Sequence, residues 1–381
     1  MNAIYLDNNA TTRLDPAVRE EMTPWLGHRV GNPSSIHSFG QEARRAIERA
    51  RTRVARLIGA LPEEILFTSG GTEADNLAIL GAREAASSSR MRVVTTAIEH
   101  QAVLNPCRYL GRTGCALTIL PVGGQGLLSG GEAAAQLKED AVLLSVMLAN
   151  NDVGTIQPVE ELSAPAREHG ILLHTDAVQA AGKIRIDVNH LGVDMLSFSA
   201  HKLHGPQGVG ALFVRKGTRL SPRSYGGHQE RGLRPGTENV AAIVGFGKAC
   251  ELAEERLDAD AARIDAMRSS FEAAIMKRIR GTSVNGLGTP RLPNTSNISF
   301  EGIDGEMLAI NLDLLGLAVS TGAACSSFDG EPSHVLVAMG RSHVQARSSV
   351  RFSFGRDNSE EDLSRAVDLV DQAVTNMRGN R

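Results

Sequence analysis

The chain has 381 residues, 39 of them glycine, with 42% apolar and 22% charged residues. At about 150 residues per domain, that length suggests two or three domains with a large core. The 40 basic and 43 acidic side chains leave a net charge of −3, and four cysteines are too few for a disulfide scaffold. Together these values exclude intrinsic disorder, a collagen, a small secreted scaffold and a basic nucleic-acid binder.

Residues 1–9 carry no basic region followed by a long apolar run, as a secretory signal would. The longest apolar stretch, 141–149, is interrupted by Ser145 and falls short of the roughly 20 residues that span a bilayer. The expectation is a cytoplasmic protein with reduced cysteines, no membrane partner and no direct nucleic-acid partner.

From about residue 60 to 215, short apolar runs alternate with helical patterns. The predicted strands are 65–68, 92–96, 117–121, 142–148, 171–175, 195–199 and 210–214. Several are apolar on both faces, which suits strands covered by helices on both sides. Thr72-Glu73-Ala74-Asp75 opens a helix with acidic residues in its first turn, where they complement the dipole. This alternation predicts a doubly wound α/β sheet. A long helix follows over 238–279, with Ile264, Met267, Phe271, Ile275 and Ile279 three and four apart. Strands at 297–300, 318–320 and 350–354 and helices at 305–315 and 360–377 predict a smaller α+β domain.

Four loops carry residues suited to chemistry. Ser69-Gly70-Gly71-Thr72 lies between a strand and a helix, and reads either as a phosphate cradle or as a ligand-free turn. Asp176 follows an apolar strand at its carboxyl end, where open α/β sheets bind ligands; it suits a cationic ring nitrogen or a helix cap. Lys202, in Ser199-Ala200-His201-Lys202, sits on another strand end beside glycine-rich backbone, and shelter from water there makes a Schiff-base nucleophile. Cys325, in Thr321-Gly322-Ala323-Ala324-Cys325-Ser326-Ser327, lacks the apolar surroundings of a structural cysteine and reads as a reactive thiol. Cys107, Cys115 and Cys250 read as structural, and no metal site is expected, since Cys107, Cys115 and His100 lack ligand spacing.

These motifs come in an order that resembles the pyridoxal-phosphate-dependent class V aminotransferases, and within them the NifS/IscS-like cysteine desulfurases. The resemblance rests on Tyr5-Leu6-Asp7-Asn8-Asn9-Ala10-Thr11-Thr12, Gly31-Asn32-Pro33-Ser34-Ser35, Thr68-Ser69-Gly70-Gly71-Thr72-Glu73 and Glu99-His100. It continues through Asn150-Asn151-Asp152-Val153-Gly154, Asp176-Ala177-Val178-Gln179, the Lys202 motif and Arg234-Pro235-Gly236-Thr237-Glu238-Asn239. The Cys325 loop and Arg351-Phe352-Ser353-Phe354-Gly355 complete it. Asp152 departs from the commoner glutamate, and Phe328 is unusual in the cysteine loop.

The resemblance implies a fold-type I enzyme, a large domain over 16–250 with a mainly parallel seven-stranded sheet, and a small α+β domain over 1–15 and 251–381. It implies a homodimer, with L-cysteine as substrate, pyridoxal 5'-phosphate as cofactor and a sulfur-acceptor protein as partner. Lys202 then carries the cofactor, Asp176 pairs with its ring nitrogen, Gln179 bonds its ring oxygen, and His100 stacks on the ring and serves as acid/base. Gly71, Thr72, Ser199 and His201 hold the phosphate, with Thr237 reaching in from the other subunit. Asn32, Asn151 and Arg351 hold the substrate, Asn151 also meeting the cofactor, and Cys325, on a loop expected to move over about 321–332, takes its sulfur. A selenocysteine or cystine lyase of the same fold that does not use Cys325, and a non-catalytic sulfur-assembly subunit, are the competing readings.

Overall fold

The computed structural model describes residues 3–87, 89–321 and 331–379. The seven expected strands are all present, as β1 (Ile65–Thr68), β2 (Arg92–Thr96), β3 (Ala116–Leu120), β4 (Ala141–Ser145), β5 (Leu172–Asp176), β6 (Met195–Ser199) and β7 (Gly210–Val214). They form one sheet in the order β1-β7-β6-β5-β4-β2-β3. Only β7 runs against the rest, pairing antiparallel with both β1 and β6. The sheet interior explains its sequence: every residue of β1, β4 and β6 is buried. Helices such as Gly71–Ala85 and Gln101–Arg112 cover it, so such strands read as continuous apolar runs.

The long helix runs over Val240–Arg278, started by Asn239, whose side chain accepts from the Ala242 amide at 3.2 Å. Its two halves serve two separate apolar clusters. Phe246 and Cys250 pack with the large sheet, while Met267, Phe271 and Ile275 pack with a second cluster that also holds Ile4, Leu6 and Phe352. Phe271 lies 4.9 Å from the Phe352 ring and 5.4 Å from that of Phe354, and burying each such ring stabilises by about 1.5–3 kcal/mol.

The second cluster backs a three-stranded antiparallel sheet of β8 (Thr282–Asn285), β9 (Thr295–Phe300) and β10 (Ser349–Ser353), with β9 central. Near it, Ile4–Tyr5 pairs in parallel with Leu317–Ala318. The chain's first residues are thereby tied to its last third, and residues 7–12 are led back to the carboxyl ends of the large sheet. No helix among the described residues is long and apolar enough to cross a membrane.

Candidate active site

A cleft of about 660 Å³ opens at the carboxyl ends of β5 and β6. Ten of the residues singled out in the sequence line it: Gly71, Thr72, His100, Asn151, Asp176, Gln179, Ser199, His201, Lys202 and Arg351. They come from six separate stretches of chain, brought together because a parallel sheet gathers its strand ends on one edge.

Asp176 ends β5 and is 6% exposed. It caps a turn rather than a helix, with Oδ1 accepting from the Val178 amide at 2.8 Å. Burial raises its pKa, while His100 and Lys202 pull it back down. Lys202 ends the helical turn after β6, and its Nζ donates to the carbonyls of Asn9 and, at 2.7 Å, Ala10. Beside it, the His201 ring meets Thr11 Oγ1 at 3.1 Å, and burial followed by the nearby Lys202 and Lys183 pushes its pKa down to about 4. His201 is therefore neutral near pH 7.

The Gly71–Ala85 helix points its N-terminus at the cleft, and no side chain caps it. Glycine keeps this approach close: a Cβ on Gly71 would lie 2.6 Å from Val178 Cγ2, and Val178 would have to shift. Glu73 steadies the loop by accepting from the Ser69 amide and pairing with Arg234 at 3.0 Å. Thr72, Ser199 and the neutral His201 supply polar groups around uncapped backbone N–H groups, which is chemistry suited to a phosphate. On the opposite side, His100 begins the Gln101–Arg112 helix, its Nδ1 accepting from the Ala102 amide at 3.1 Å. That bond places the proton of the neutral ring on Nε2.

Arg351, on β10, is 4% exposed. Its guanidinium donates to Asp7 at 2.8 Å and to the Asn151 carbonyl at 3.1 Å, and its buried Nε has no partner among the described residues. A buried cation on a cleft wall, with one donor unused, suits a carboxylate.

Asn32 and Thr237 lie elsewhere in this single chain. Both are exposed and absent from the cleft lining, and Asn32 turns its side chain back to the Ser34 amide at 2.9 Å. Cys325 lies outside the described residues. The described chain on either side of it adjoins the cleft: Ser320 exchanges two backbone bonds with Arg351, and Ser333 lines the cleft wall. The described cysteines are buried and free, and burial pushes the Cys107 thiol up to about 12. Among the described residues no cluster of His, Cys, Asp and Glu could hold a metal.

Sequence reasoning missed a buried polar layer behind Asp176. Burial pushes Glu99 up to about 8, against bonds from Thr96 at 2.6 Å and the Met147 amide at 2.9 Å. Burial, with Asp176 nearby, raises the Asp75 carboxyl well above the ordinary carboxylate range, against a bond to Ser197. His174, held between Ser145 at 2.8 Å and Ser197 at 3.0 Å, is pushed down to about 3 by burial. The signal for this layer was present in the sequence as polar residues inside apolar stretches that face a sheet.

Comparison with known proteins agrees with this arrangement. A profile of the family described as Aminotransferase class-V matches residues 4–366. The chain is 47% identical over 375 residues to a cysteine desulfurase IscS of Dictyoglomus turgidum, covering 98% of this chain and 95% of that one. It is 45% identical over 379 residues to the cysteine desulfurase NifS of Azotobacter vinelandii, covering 99% and 94%. A solved NifS-like protein superposes with a TM-score of 0.91 at 39% identity, over 98% of this chain and 99% of that one. The chain belongs to the class-V aminotransferase family, in its NifS/IscS cysteine desulfurase branch. Enzymes of this family work with pyridoxal phosphate, and the donors around the cleft fit it: uncapped N–H groups for a phosphate, a buried carboxyl for a ring nitrogen, and a strand-end lysine.

Proposed function

We propose that this chain is a pyridoxal-phosphate-dependent cysteine desulfurase that converts L-cysteine to L-alanine and keeps the sulfur as a persulfide on Cys325. The observation that carries this reading is the convergence of Lys202, Asp176, Gln179, His100 and Arg351 on one cleft. We take the chain as two domains, 16–250 and 1–15 with 251–381, with the cleft where they meet.

Lys202 would hold the cofactor covalently, Gly71, Thr72, Ser199 and His201 its phosphate, Asp176 its ring nitrogen and Gln179 its ring oxygen. When bound, this cofactor withdraws electrons from the substrate's Cα and so makes the Cα proton acidic. Arg351, fixed by Asp7 and Asn151, orients the substrate by its carboxylate. Lys202, a free amine once the substrate's amino group has taken its place, takes the Cα proton, and His100, with its proton on Nε2, serves as acid and base at the leaving sulfur. The Cys325 thiolate attacks that sulfur: an S–S bond forms, the Cβ–S bond breaks, and Cβ gains the electron pair and then a proton. Cysteine and a thiol thus become alanine and a persulfide, with atoms and charge conserved.

The persulfide is passed to an acceptor protein, as in iron–sulfur assembly, in a reducing cytoplasm that keeps Cys325 a thiol. The active form is a homodimer. Asn32 and Thr237 lie on exposed segments, and apolar side chains are left in solvent near them in sequence, Ile36 (94% exposed) four residues from Asn32 and Tyr225 (80%) twelve from Thr237.

Cys325→Ala tests the reading. It should bind the cofactor with its yellow band intact and bind cysteine, yet form no persulfide and no alanine. Alanine formed at the normal rate by this variant would instead assign a lyase that works without Cys325. Lys202→Ala should lose the covalent cofactor band, and a wild-type protein without that band would be a non-catalytic subunit.

A further inference from the structure

A second lysine lies beside the cleft floor, and the chemistry above does not use it. Lys183 ends the turn that begins after Asp176. Its Nζ donates to Gln179 Oε1 at 2.8 Å and reaches Asn9 Oδ1 at 3.4 Å. Gln179 in turn donates through Nε2 to the Asn9 carbonyl at 2.9 Å. Asn9 is fixed independently: its Nδ2 donates to the Asn151 carbonyl at 3.0 Å and to Thr295 at 2.8 Å, while its Oδ1 accepts from Asn294 at 2.9 Å.

The two ends of a side-chain amide are told apart by their partners. The carbonyls of Asn9 and Asn151 only accept, so each amide has one consistent orientation, and both turn an oxygen toward Lys183. The charged groups that act on Lys183 are Lys202 and Arg351, and Asp260, Arg356 and His204 line the small cavity next to it. Burial, followed by the like charges of Lys202 and Arg351, presses its proton affinity well down. The network requires only that Nζ donate, and both amine and ammonium do so.

We propose that Lys183 is a positioning residue: by holding the amide oxygen of Gln179, it leaves the Gln179 N–H group as the one donor turned to the ring oxygen of the bound cofactor. This inference rests on the pyridoxal-phosphate reading above. A donor on that oxygen stabilises its anionic form and keeps the proton affinity of the adjoining Lys202 linkage low. With Lys183 removed, Gln179 Oε1 loses its partner, the amide is free to turn, and the linkage holds its proton more tightly.

The test is a pH titration of the visible absorbance band of the pyridoxal-phosphate-loaded enzyme. Lys183→Met should raise the midpoint by about one pH unit, a tenfold change in proton affinity, and Lys183→Arg should restore it. Gln179→Ala should raise the midpoint by a similar amount, and adding Lys183→Met to it should shift it no further. If Lys183→Met does not fold, Lys183→Ala, which also removes the donor, takes its place with the same expected shift. An unshifted midpoint in a loaded Lys183 variant overturns the positioning role, as do shifts that add in the double variant. A wild-type protein that gives no band with pyridoxal phosphate overturns the cofactor reading itself.

Discussion

The floor of the cleft and the two segments carrying Asn32 and Thr237 are built from equally polar motifs, yet they reach opposite states in this chain. On the floor, Asn9, Gln179, Lys202 and Arg351 are tied to one another and to backbone carbonyls, so one chain suffices to orient them. Around Asn32 and Thr237 the chain satisfies little: Asn32 bonds only its own turn, and Leu26, Val30, Ile36 and Phe39 stand in solvent. Orientation inside one chain comes from buried hydrogen bonds that water cannot replace. In the dimer proposed above, a second copy of the chain covers these exposed segments.

If the floor is self-sufficient, disturbing it should cost the most. Arg351→Lys keeps the charge but loses the planar fork, and kcat/KM for cysteine should fall about a hundredfold with the cofactor band unchanged. Steady-state kinetics beside an absorbance spectrum check this, and a band that disappears would move Arg351 from substrate binding to cofactor retention. The exposed segments should respond differently. Ile36→Glu or Phe39→Glu each removes an apolar contact of about 1.5–3 kcal/mol from the dimer, weakening self-association about ten- to a hundredfold. Sedimentation velocity at several concentrations reads this, and unchanged dimers in both variants would remove these side chains from the interface.

The third prediction concerns the layer behind the floor. Glu99 ionises in the folded chain at about 8, against an ordinary value of 4.5. A carboxyl raised in this way stabilises the fold below the unfolded value and loses that contribution as pH rises through the folded one. Between about pH 5 and 8 the fold should lose up to ~1.4 kcal/mol per pH unit on this account. Glu99→Gln, which keeps the acceptor for Thr96 and Met147, should flatten that slope in a series of melting curves. An identical slope in variant and wild type would mean that Glu99 is ionised in the fold.

Much of this was legible because it follows local rules. The strands announced themselves as apolar runs, and Thr72, Asp176 and Lys202 as polar residues at strand ends, whereas His100, Gln179, Asn151 and Arg351 were read from the family resemblance. The predicted strand 142–148 ran three residues past the Ser145 end of β4, because Val146, Met147 and Leu148 stay buried after the strand stops. The strand Thr282–Asn285 was not expected, since Thr282 and Ser283 are partly exposed and its register comes from β9. Lys183 was invisible for another reason: its meaning depends on Asn9 and Gln179, and nothing in the spacing between residues 9 and 183 reveals that they meet.

The pairing of Ile4–Tyr5 with Leu317–Ala318 also bears on when the site comes into being. The Asn9 amide donates to Ser353, 344 residues away, and Arg351 reaches back to Asp7. Residues 7 and 9 leave the ribosome long before residues 351 and 353 do. The large sheet can fold before then, but the hub around Asn9 closes only after residue 353 is out. On the reading proposed above, tight cofactor capture should therefore begin only once residue 353 has emerged.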